Sequence, residues 1–294
     1  MTMFLQQLIL GLRGGSLIAL VALGIVMIFK TTGVVNFAYG YMGMFSIYIA
    51  YTFLNTVGAP LWLSVTICIA FAFALGAAAE RGLLRQVRHL SKGAMLILTL
   101  GMLMIFEGLA LQIWKQDYRS FPNLVSGVRM ITIDTGRLVI RNQDILIFIV
   151  AAAIMAGLFI YFKYTKTGLA IRATAQNENA AKLMGIKVGV IFALSWGVGV
   201  SLGAVSAVLA APRTFIHPNM MLPLQIRGLT GAVLGGFDSL PGAVVGGILL
   251  GVIEQFMGAY ISEELKMALS LLIILVVLLV KPSGLMGSKA IERV

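Results

Sequence analysis

The chain has 294 residues, of which 60% are hydrophobic and only 11% charged, with a mean hydropathy of +0.99. Ordinary soluble domains are about 25% charged, so a soluble fold is excluded, because it could not hide this much apolar surface. The net charge is +11, but the basic residues sit in short loops between apolar runs, which points to membrane topology rather than to nucleic acid.

No polar stretch is long enough for a second soluble domain, so residues 1–294 read as one transmembrane domain. Cys68 is the only cysteine and lies in an apolar run, which rules out an intrachain disulfide. Met1–Leu12 has no basic n-region and no small-residue cleavage site, so no removed signal peptide is expected.

In chain order, membrane-length segments are predicted near 5–29, 34–54, 61–79, 94–114, 145–162, 188–211, 222–237, 242–260 and 265–280. All are too uniformly apolar for barrel strands and are expected to be helices, giving an all-α polytopic membrane protein of about 8–9 segments. Arg13, in the first segment, is expected to snorkel at the outer interface. Two regions break the pattern. Gly33–Gly43 brings Asn36 and three glycines into a membrane run, and Leu222–Phe237 starts with Pro223, Gln225 and Arg227 and is short for a full crossing. Gly231/Gly235, Gly242/Gly246 and Gly247/Gly251 are spaced four apart, as in close helix packing.

Loop charge sets the orientation. Arg81, Arg85, Arg88 and Lys92 follow the third segment, and Lys163, Lys166, Arg172, Lys182 and Lys187 follow the fifth. With Lys281, Lys289 and Arg293 in the tail, these loops are expected to face the cytoplasm. Nine crossings then put the N-terminus outside and the C-terminus inside. The stretch 115–144 is expected outside, with a small β-hairpin over 128–141 around Asp134-Thr135-Gly136 acting as a lid.

No metal or nucleophile constellation is evident. His89 and His217 are far apart, and no Gly-Lys dipeptide exists to build a Walker A loop. Two acids, Glu107 and Glu254, fall inside membrane segments. Such residues are functional candidates by cost alone, although a basic neighbour for Glu107 or a helix-end position for Glu254 would make them structural. The polar loop 163–187 is alanine-rich and helix-permissive from Gly168 to Met184, and Gly185 is placed to end that helix.

At this loop a resemblance enters. Asn179-Ala180-Ala181, three residues, then Gly185 resembles the EAA-x3-G loop by which ABC importer permeases dock on an ATPase; Asn179 stands at the glutamate position, with Glu178 just before it. Gly33–Ala38 (GVVNFA), Ala232–Ala243 (AVLGGFDSLPGA) and Lys281–Gly287 (KPSGLMG) resemble permeases of the branched-chain amino acid (leucine/isoleucine/valine) ABC import family. The order and spacing fit nearly the whole chain and look most like the shorter of the two permease types. A histidine commonly follows Asn-Phe-Ala in that family; here it is Tyr39. Relatives also carry urea, short amides and small carboxylates, so the resemblance does not name the solute.

The resemblance implies a non-catalytic subunit of the bacterial inner membrane that binds no cofactor itself. Its expected partners are a second related permease or a second copy of this chain, two ATP-binding subunits that hold ATP and Mg, and a periplasmic binding protein. The residues expected to couple to the ATPase are Arg172, Gln176, Asn177, Glu178, Asn179, Ala180, Ala181 and Gly185. Asn36, Tyr39, Tyr41 and Gln225 are the expected substrate-path residues, since a small zwitterion needs hydrogen-bonding groups in an apolar wall. A self-sufficient ion-coupled carrier or channel would call for coupling acids or a filter, and an intramembrane enzyme for a catalytic cluster.

Overall fold

Lipid offers no water to backbone N–H and C=O groups, so each apolar run closes its own hydrogen bonds as a helix. The computed structural model describes residues 2–87, 90–133 and 136–287. Arg88, His89, Asp134, Thr135, Lys289 and Arg293, named above, lie outside the described residues.

Helices occupy all the predicted segments: α1 (Thr2–Thr32), α2 (Tyr39–Asn55), α3 (Leu61–Ala79), α4 (Lys92–Trp114), α5 (Asn142–Tyr164), α8 (Val188–Thr214), α9 (Leu222–Gly235), α10 (Leu240–Tyr260) and α11 (Lys266–Val280). Between α5 and α8 lie two short helices, α6 (Lys166–Gln176) and α7 (Glu178–Leu183). α3 runs on through a π-helical turn, Glu80–Leu84, and a last α-turn, Arg85–Val87. Among the described residues, six helices are long and apolar enough to cross a membrane: α1, α3 with its extension, α4, α5, α8 and α10. α2, α9 and α11 have 17, 14 and 15 residues, reaching about 25, 21 and 22 Å at about 1.5 Å per residue.

The helix ends follow local chemistry. Gly33, at φ +69°, closes α1 in a conformation that an L-residue avoids. Asn36 Oδ1 then accepts the Ala38 N–H at 2.9 Å, an Asx turn that opens α2. Ser91, Thr165 and Ser239 cap α4, α6 and α10 by accepting the N–H of Ala94, Gly168 and Gly242. Strands β1 (Val128–Ile133) and β2 (Gly136–Arg141) pair antiparallel, with Val128 opposite Arg141. The Gln6 side chain extends this hairpin: its Nε2 donates to Val139 O at 2.9 Å and its Oε1 accepts from Val139 N at 3.0 Å.

The chain forms two compact units, each discontinuous in sequence. One comprises Met1–Leu23, Pro122–Ala156 and Pro223–Val294; the other comprises Gly24–Phe121 and Gly157–Leu222. In the first, glycines bring α1, α9 and α10 into backbone contact. A Cβ on Gly251 would strike Gly15 Cα, one on Gly247 would lie 2.6 Å from Ala19 Cα, and one on Gly231 would lie 2.9 Å from Gly247 Cα. Without a hydrophobic drive between helices in lipid, such close approach is what dispersion needs. Two ion pairs add to this unit. Arg13 reaches Asp144 at 3.4 Å and is largely buried, so it pairs rather than snorkels. Glu254 is buried in mid-α10, not near a helix end; it pairs with Arg227 at 3.2 Å and accepts from the Ser270 hydroxyl.

In the second unit α8 lies against α2 and α3. A Cβ on Gly43 would sit 3.0 Å from the Gly203 carbonyl carbon, and one on Gly197 would sit 2.8 Å from the Phe73 ring. Aromatic packing joins α2 to α4: Tyr48 stacks on Trp114 at 4.7 Å, and Phe45 contacts both Trp114 and Phe106. Exposed apolar side chains such as Ile97, Met104, Ile149 and Leu279 suit lipid contact.

Candidate coupling loop and polar path

The loop between α5 and α8 folds into two helices, where the sequence suggested one from Gly168 to Met184. The break is at Asn177, which ends α6 in extended backbone (φ −156°, ψ 105°) and caps α7, its Oδ1 accepting the Ala180 N–H at 3.0 Å. Asparagine offers the backbone this alternative to continuing a helix. Gly168 lets α6 turn back tightly on α5, since a Cβ there would lie 2.7 Å from Phe162 Cα.

α7 ends in a Schellman motif. Gly185 has φ +79°, its N–H reaches Lys182 O at 3.0 Å, and the Ile186 N–H reaches Ala181 O at 3.0 Å. The accompanying apolar contact is present: Ile186 packs on the buried cluster Ala181, Val188 and Phe192. Ala181, expected on the docking face, is therefore turned inward. Ile171 and Thr174 form the buried side of α6. Arg172, Gln176, Asn177, Asn179, Ala180 and Gly185 are exposed, and half-buried Glu178 pairs with Lys182 at 2.7 Å.

Two residues that sequence reasoning missed stand out on this face. Leu183 is 88% exposed and Met184 83% exposed, although both are apolar and belong to a loop that carries Lys166, Arg172, Lys182 and Lys187. Helical periodicity could have flagged them, because Ala181 and Ile186 take the inward positions and leave Leu183 and Met184 outward.

Past this loop the chain is tied to α3. Arg85 Nη2 donates to Gly189 O at 2.7 Å, in the first turn of α8, and to Glu80 Oε2 at 3.1 Å. Glu80 is buried and belongs to the π-helical turn, a feature that recurs at functional sites.

Of the expected path residues, Asn36, Tyr39 and Tyr41 fall in one unit and Gln225 in the other. All four are buried. Asn36 is engaged in its Asx turn, with its Nδ2 3.9 Å from Met42 Sδ. Tyr39 packs between Gly24 and Gly203, where a Cβ would meet its ring. Tyr41 donates its hydroxyl to Asn219 Oδ1 at 2.9 Å. Among the described residues no group of His, Cys, Asp and Glu is placed to hold a metal ion. A G-x-S-x-G string occurs at Gly199–Gly203. It lies inside α8, where Ser201 donates to Gly197 O at 2.9 Å, so it is helix packing and not the strand-to-helix elbow of a nucleophile.

Residues 7–278 match the family described as branched-chain amino acid transport system / permease component. The high-affinity branched-chain amino acid transport system permease protein BraD of Pseudomonas aeruginosa is 32% identical over 301 residues, covering 99% of this chain and 98% of that protein. LivH of Salmonella typhimurium, which bears the same description, is 33% identical over 302 residues with the same coverage. A probable branched-chain amino acid transport permease protein LivH of Methanocaldococcus jannaschii is 25% identical over 290 residues, covering 92% and 89%. Among solved structures, PsaBC from Streptococcus pneumoniae in complex with Fab shares the fold at a TM-score of 0.50 and 16% identity, covering 95% of this chain and 92% of that one. The helical membrane architecture and this near-complete match agree: the chain belongs to the branched-chain amino acid transport system permease family, as a multi-pass, non-catalytic transmembrane subunit of an ABC importer.

Proposed function

We propose that this chain forms half of the translocation path for branched-chain amino acids, or a closely related small zwitterion, in the inner membrane of a bacterium. A second permease, either a related chain or another copy, supplies the other half. Two ATP-binding subunits grip the α6–α7 loop from the cytoplasm, and a periplasmic binding protein delivers the solute from the periplasm. This orientation follows the basic residues of the loops.

The observation that carries the reading is the exposed face of α6 and α7, held rigid by the Asn177 cap and the Gly185 Schellman motif. Arg172, Gln176, Asn179, Leu183 and Met184 are all exposed on these two helices and the turn that ends them, a mix of polar and apolar side chains that suits a docking surface. Closure of the ATPases would push this face; Gly189 and Arg85 carry the push to α3, and the glycine contacts of α8 carry it to α2, where Tyr39 and Tyr41 sit. Rigid-body motion of packed helices is the usual basis of alternating access. The test is ATP-driven uptake of leucine, isoleucine or valine into proteoliposomes holding the complete importer and its binding protein. Uptake by this chain alone on an ion gradient refutes the reading.

A further inference from the structure

Four acids lie on the described membrane helices and the turns that continue them, and three have a resident cation: Glu80 with Arg85, Asp144 with Arg13 and Glu254 with Arg227. The fourth, Glu107 of α4, is half-buried, and among the described residues no cation and no hydrogen-bond donor is paired with it. An ionisable side chain at such a depth is costly unless something compensates its charge.

Glu107 is seven residues from Trp114, about 10 Å inside that end of α4, the end facing the exterior in the proposed orientation. Its neighbour Phe106 packs on Phe45 of α2. Tyr41 lies one helical turn before Phe45 on α2, on the side of α2 that meets α4, and it donates to Asn219, which is exposed at the turn before α9. A carboxylate, a phenol and an exposed carboxamide, all in one compact unit, thus form a polar line from the exposed turn into the helices.

We propose that the missing cation is the cargo: Glu107 receives the primary ammonium group of a zwitterionic substrate, with Tyr41 and Asn219 as hydrogen-bonding neighbours along its entry. This rests on the functional reading above. It makes Glu107 a selectivity residue for amine-bearing solutes.

The test uses the complete importer in proteoliposomes with its binding protein and radiolabelled leucine. Glu107→Gln keeps the shape and removes the charge; Glu107→Asp keeps the charge. The Gln variant is expected to lower the initial uptake rate by about tenfold or more, the loss that follows removal of a charge-assisted hydrogen bond. Co-purification of the companion permease should be unchanged, and the Asp variant should recover much of the rate. Wild-type uptake in the Gln variant overturns the proposal. So does equal loss in both variants together with a lost companion permease, because that pattern marks a structural carboxylate. Wild-type vesicles that carry no branched-chain amino acid overturn the functional reading itself and this inference with it, whereas failure in the Gln arm alone leaves the functional reading standing.

Discussion

Gly185 separates two effects that one substitution usually confounds. Its φ of +79° is left-handed, and a Cβ built there meets no atom within 4 Å. Every L-residue at this site therefore pays for the backbone and nothing for local crowding. The left-handed conformation costs about 1–2 kcal/mol for an ordinary residue and less for Asn, whose side chain tolerates it. A cost of that size shifts the balance between the capped and uncapped loop by about 5–30-fold. Uncapping releases the Ile186 N–H from Ala181 O and frees Ile186 from the Ala181, Val188 and Phe192 cluster. The readout is leucine transported per ATP hydrolysed by the complete importer. Gly185→Asn should stay near the wild-type ratio, and Gly185→Ala should fall several-fold. Gly185→Trp pays the same backbone cost as Ala, so any further loss measures a partner surface pressed against the site. An Ala variant that couples as well as wild type refutes the capping argument, and a Trp variant equal to Ala refutes docking at this position.

Leu183→Ser with Met184→Ser should leave the melting temperature unchanged, because both side chains are already exposed, while weakening co-purification of the ATP-binding subunits; a pull-down checks this. Gly251→Leu should destabilise the detergent-solubilised protein, since even its Cβ strikes Gly15 of α1, and overpacking costs about 1–3 kcal/mol; a thermal melt reads it. Arg85→Met strands the buried Glu80. Losing one partner of a fully buried pair costs about 3–5 kcal/mol, but Arg85 is itself half-exposed, so the expected loss is smaller. Adding Glu80→Gln should recover most of it, and a double variant no better than the single one would refute the pairing.

The helices were legible because lipid imposes a rule on every residue: apolar runs become helices, and their limits fall at Gly33, Pro60, Ser91 and Ser239, where turns and caps are chemically specified. The Gly185 terminus was legible for the same reason. Asn177 was misread because composition sees a helix-permissive alanine-rich stretch, while capping depends on one side chain's competition with the backbone. Arg13 was misread because its partner, Asp144, lies 131 residues away, and no local pattern encodes a distance of that kind. The spacing of Gly231, Gly247 and Gly251 announced close packing but not that Gly15 and Ala19 of α1 would be the surfaces met.

Glu107 and Glu254 show where sequence reading stops. Each is a single acid in an apolar helix, and each carries the same penalty for entering lipid. Folding gives Glu254 an arginine from α9 and a serine from α11, which turns the charge into a tie between three helices. Among the described residues, folding gives Glu107 no cation. The first arrangement is complete within the chain, so neutralising Glu254 alone should damage the fold by leaving Arg227 without its counter-charge. The second is incomplete, so neutralising Glu107 should relieve the empty protein and impair only its loaded state. Melting temperatures of Glu254→Gln and Glu107→Gln in the absence of solute should therefore move in opposite directions, and a fall of similar size in both would make Glu107 one more structural acid.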